Sequence, residues 1–105
     1  LAVLATPPTE GGGEGFISND LSVDPSVKSG YQINLTAGPA VSGSPASCNG
    51  MAAGTLVSTY FVGGDPLSAN SGGRYFGTNG GTIYENASAL SVTQTGMPPG
   101  SSPVQ

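Results

Sequence analysis

The distribution of glycine and proline is the strongest constraint on what this chain can fold into. The 105 residues include 18 Gly and 9 Pro, dispersed from Pro7 to Pro103. In a helix interior, Gly costs about 1 kcal/mol and Pro about 3 kcal/mol relative to Ala. No long amphipathic helix is therefore expected, and strands must do most of the burying. Leu, Ile, Val and Phe supply only 21 of the 105 residues. That is the margin below which chains tend to stay disordered. A mean hydropathy of +0.01 and a net charge of −4 argue against a self-repelling coil. The expectation is a single mainly β domain with a thin core and long Gly/Pro/Ser-rich loops.

Charge and residue inventory exclude several functions. There are 2 Lys+Arg and the pI is about 4.1, so no basic footprint for nucleic acid exists, and an acidic membrane surface would repel the chain. No apolar run reaches the length of a membrane span. With no His and a single Cys, histidine-based nucleophile systems, haem ligation by His and nearly all zinc sites are excluded. Cys48 has no second cysteine to pair with and reads as a small structural thiol.

The carboxylates Glu10, Glu14, Asp20, Asp24, Asp65 and Glu85 lie in a tether, in turns and at a hairpin end. Solvated turn residues are the ordinary reading, and calcium would need a loop signature that Asn19, Asp20 and Asp24 lack. Asn34-Leu35-Thr36 and Asn86-Ala87-Ser88 match the glycosylation pattern at the chance level of an Asn/Ser/Thr-rich chain. The residues point to no enzyme, cofactor or metal site.

Three regions are expected. Residues 1–15 are an apolar strap, Leu1-Ala2-Val3-Leu4-Ala5, followed by Pro7-Pro8 and a Gly-rich tether. Residues 16–95 are the β domain, and residues 96–105 an extended tail. Within the domain, Asp24-Pro25 carries the signature of a short helical turn. Tyr31, Ile33 and Leu35 alternate with polar residues, as in a strand with one wet face. Residues 38–54 read as a long irregular loop. Thr55–Val62 is the strongest strand, stopped by Gly63-Gly64-Asp65-Pro66. Asn79-Gly80-Gly81 links strands over 74–78 and 82–86, the best hairpin signal present. Leu90 and Val92 suggest a weak edge. A sheet of three to four antiparallel strands follows, with Tyr31, Ile33, Leu35, Tyr60, Phe76 and Ile83 on one face. Such a face needs a second layer, and this chain has no helix to supply it.

The block from Lys28 to Leu90 resembles the globular domain of type IV pilins and pseudopilins. Lys28-Ser29-Gly30-Tyr31-Gln32-Ile33-Asn34-Leu35 is similar to the family's first strand, and Ser58–Leu67 to its second. Gly73-Arg74-Tyr75-Phe76 through Thr82-Ile83-Tyr84 is similar to its closing hairpin. The family's long N-terminal helix is absent, as is the cysteine pair that staples its C-terminal loop. The resemblance implies an outer-layer structural subunit of an extracellular, cell-surface filament (a fimbrium) of a bacterium. It also implies a helix supplied by a short pilin chain in trans, as in split pilins, and contacts with further copies of this chain. Leu1, Val3, Leu4, Phe16 and Ile17 are the expected partner interface, because an apolar strap on a tether suits docking on that helix. The alternatives are a pseudopilin of a type II secretion system and a β-rich adhesin or carbohydrate-binding module.

Overall fold

The structure, a computed structural model, describes residues 1–10, 12–90 and 99–105. One antiparallel meander dominates it: β1 (Ser26–Lys28), β2 (Tyr31–Ala37), β3 (Tyr60–Pro66), β4 (Tyr75–Thr78), β5 (Ile83–Asn86) and β6 (Ser102–Pro103), each paired with the next. Outside the sheet are one turn of α-helix, α1 (Ala2–Ala5), and a 3-10 turn at Asn19–Leu21.

The mainly β class is as expected, but the sheet has six strands rather than three to four. The two additions are too short to leave a periodic signal. Strand β1 joins β2 through Ser29-Gly30, where φ is +53° and +80°. Positive φ at both central residues is the requirement of a type I′ turn, whose twist matches that of the flanking strands. Strand β6 lies in the expected tail, with Val104 N–H donating to the Ile83 carbonyl at 2.9 Å. Its Pro103 is tolerated because the strand is at the edge.

The Asp24-Pro25 turn of helix is also corrected. Pro25 precedes a strand, and the Asp24 carboxylate accepts the Leu35 N–H at 3.1 Å, taking the place of a further β1 carbonyl. The strongest strand shifts as well. Residues 55–59 leave the sheet, and Gly63-Gly64, read as a turn, lie inside β3. Both glycines are buried, with Ile33 Cδ1 and Phe76 Cβ packed over Gly64 and the Phe61 ring close to Gly63. The long loop at 38–54 is ordered as the outer part of a hairpin arm. Its cross-arm bonds run from Gly38 N–H to Thr59 O at 2.8 Å, Val41 N–H to Leu56 O at 2.7 Å and Gly54 N–H to Ser44 O at 2.8 Å. The molecule is elongated, with a radius of gyration of 15.3 Å against about 13 Å for a compact chain of this size. The expected Val92 edge and the first residues of the tail lie outside the described residues.

Register divides the sheet into two unlike faces. Pairing aligns Tyr31, Ile33, Leu35, Tyr60, Val62, Phe76 and Ile83 on one side. The other carries Phe61, Gly63, Gly77 and Tyr84, with Leu90 laid across Gly77. Phe61 (0% exposed) and Leu90 are the buried large apolar side chains among the described residues, and both belong to this glycine-lined side.

Candidate partner interface

The five residues expected to meet a partner come together at one corner. Leu1 caps α1, which runs over Ala2–Ala5, and Thr6 turns extended ahead of Pro7, as residues before proline favour. Rather than leaving along a free tether, this segment folds back on residues 15–17. The Leu4 carbonyl accepts from Phe16 N–H at 2.7 Å and Ile17 N–H at 3.3 Å. Gly15 permits that approach, since a Cβ there would stand 2.3 Å from the Ala5 carbonyl oxygen. The arm tip closes the other side. Buried Asn49 donates from Nδ2 to the Val3 carbonyl at 2.6 Å, and Thr9 N–H donates to Cys48 O at 2.9 Å.

The side chains are only partly used by these contacts. Leu1, Leu4 and Ile17 are half-buried, whereas Val3 and Phe16 point outward, Phe16 being 64% exposed. Beside them, Ala5, Pro7, Glu14, Phe16 and Ile17 border an open hollow of about 640 Å3.

The larger apolar surface is the sheet face for which the sequence offers no covering helix, and the structure leaves it open. Tyr31, Ile33, Leu35, Val62 and Phe76 are half-buried, while Tyr60 and Ile83 are 42% and 55% exposed. The Tyr31 and Phe76 rings stack tilted at 5.8 Å. Arg74 Nη1 donates to both Glu85 carboxylate oxygens at 2.7 Å at the margin of this face. Lys28 pairs with Asp20, so both cationic side chains of the protein are engaged. The Lys28 ammonium and the Ser18 hydroxyl hold the Asp20 carboxyl below its ordinary range. Among the described residues, no three His, Cys, Asp or Glu side chains are grouped to hold a metal ion.

Asp24 ties the corner to the sheet. Partial burial raises its pKa, but donation from the Leu1 ammonium at 2.8 Å and from the Leu35 N–H outweighs this and leaves it lowered. A lowered folded-state pKa adds stability that is present above the unfolded value and is lost as pH falls through the folded one. Acidification through that window should therefore loosen α1 from the sheet. For so exposed a pair the effect should be about 1 kcal/mol or less. Amide exchange at Leu35, followed against pH, measures it, and Asp24→Ala should remove the pH dependence.

Comparison with protein-family models, with curated proteins and with solved structures returns no match to this chain.

Proposed function

We propose that this chain is a structural subunit of an extracellular type IV pilus-like filament, forming the outer globular layer over a helical pilin segment. The observation that carries the reading is the open apolar face. A sheet with seven aligned apolar side chains on one side ordinarily buries them under a second layer. Here the described helices are a four-residue turn and a three-residue 3-10 turn, and neither can cover that face. A long helix fits the requirement, since an apolar stripe at helical spacing matches the width of a few strands. The ordered strand motifs from Lys28 to Leu90 support the same assignment.

In this reading the corner of Leu1, Val3, Leu4, Phe16 and Ile17 is a second contact, either with the same helix or with a neighbouring subunit. Removing residues 1–5 should abolish co-assembly while the hairpin around Asn79 stays folded. Co-purification of the truncated chain with a tagged helical partner checks this. Recovery at the level of the full chain would make the corner dispensable.

A further inference from the structure

The side of the sheet opposite the apolar face carries a row of polar groups at one end. Gln32 pairs with Asp65, and Tyr75 pairs with Asn86. Continuing the β3–β4 register by one residue sets Asp65 beside Tyr75, and continuing β5–β6 by one sets Ser101 beside Asn86. The five side chains therefore form one line across the sheet, on the glycine-lined side. With strands about 4.8 Å apart, the line from Gln32 to Asn86 is about 14 Å long.

Several features of this row suit a ligand rather than fold stability. All five residues are half-buried. Among the described residues, the Gln32 amide and the Asp65 carboxylate have no hydrogen-bond partner, and the Ser101 hydroxyl is buried without one. A buried polar atom normally has a partner, and the Ser101 hydroxyl is the exception in this row. Tyr75 also borders an open hollow of about 400 Å3 together with Pro66, Leu67, Ser68, Ala69 and Ala87.

We infer that this row is a binding site for a neutral polysaccharide. The Gln32 amide both donates and accepts, Asn86 offers its Nδ2 while its Oδ1 accepts the Ser88 N–H at 3.1 Å, and a carboxylate accepts, so the set is complementary to the hydroxyls of a sugar chain. A tyrosine ring offers the apolar platform on which the CH face of a sugar packs. A phosphorylated or uronic-acid chain is disfavoured by Asp65 and by the net charge of −4. The length of the row suits an extended chain of sugars better than a single one. The site is independent of the filament reading, because it lies on the opposite side of the sheet.

The test is an amide-resolved NMR titration of the full chain with chitotriose, maltotriose, cellotriose and mannotriose at millimolar concentration. A hyaluronan tetrasaccharide serves as the anionic control. At least one neutral probe should shift the amides of residues 32, 65, 75 and 86 without moving those of Ile33 and Ile83. Tyr75→Ala should then weaken binding about tenfold or more, whereas Tyr75→Phe, which keeps the ring and the fold, should bind like the parent. The inference is overturned if none of the neutral probes shifts the row or if shifts map to the apolar face. It is equally overturned if hyaluronan binds as well, or if Tyr75→Ala binds unchanged.

Discussion

Phe61→Ala should cost about 3–5 kcal/mol of folding stability, most or all of what a chain with so thin a core possesses. The ring is 0% exposed and lies over Gly63 and Gly77, where Leu90 also packs. Gly77→Ala attacks the same packing from the opposite direction. Its Cβ would stand 2.8 Å from Phe61 Cζ and 3.2 Å from Leu90 Cδ1, so one of the two must move. Overpacking of this kind costs about 1–3 kcal/mol. Phe76→Ala is the informative contrast. Phe76, by comparison, is half-buried on the open face. Its loss should lower the stability of the isolated chain less than that of Phe61, and should weaken assembly more. Chemical denaturation of the three variants checks the ranking.

The second large effect concerns the isolated chain. Alone, it should melt below about 60 °C, without the margin of a well-covered domain. A helix burying on the order of 400 Å2 of the apolar face offers about 10 kcal/mol of transfer free energy before entropic losses. Even a partner present at about a hundredfold excess over its Kd adds about 2.7 kcal/mol. For a chain of this length that corresponds to about 10–20 °C in Tm. Paired melts of the chain with and without the helical pilin partner read this directly. An unchanged melt in the partner's presence would mean the face is finished as it stands.

Where the sequence was legible, local chemistry carried the signal. Alternation placed Tyr31, Ile33 and Leu35 on one face, and Asn79-Gly80 marked the hairpin between β4 and β5. All six residues expected to share a face do so. What failed was set by tertiary packing. Gly63-Gly64 has the local chemistry of a turn, and only the side chains of Phe61, Ile33 and Phe76 explain its place in β3. Strands β1 and β6 take their pairing from a turn and from a neighbour, and Asp24 acts through an amide eleven residues away. At the interface corner, apolar character was enough to group Leu1, Val3, Leu4, Phe16 and Ile17. The link from Leu4 to Phe16, and the Asn49 contact from the arm tip, depend on chain reversals that no spacing records.

The central claim is that a long helix covers the face of Tyr31, Ile33, Leu35, Val62, Phe76 and Ile83. Cryo-electron microscopy of the material that cells assemble from this chain tests it most directly. The expected result is a helical filament in which each copy of the sheet lies on the outside, with helical density packed against Ile33, Phe76 and Ile83. A soluble particle without a second layer, or a filament in which this face looks into solvent, would contradict it.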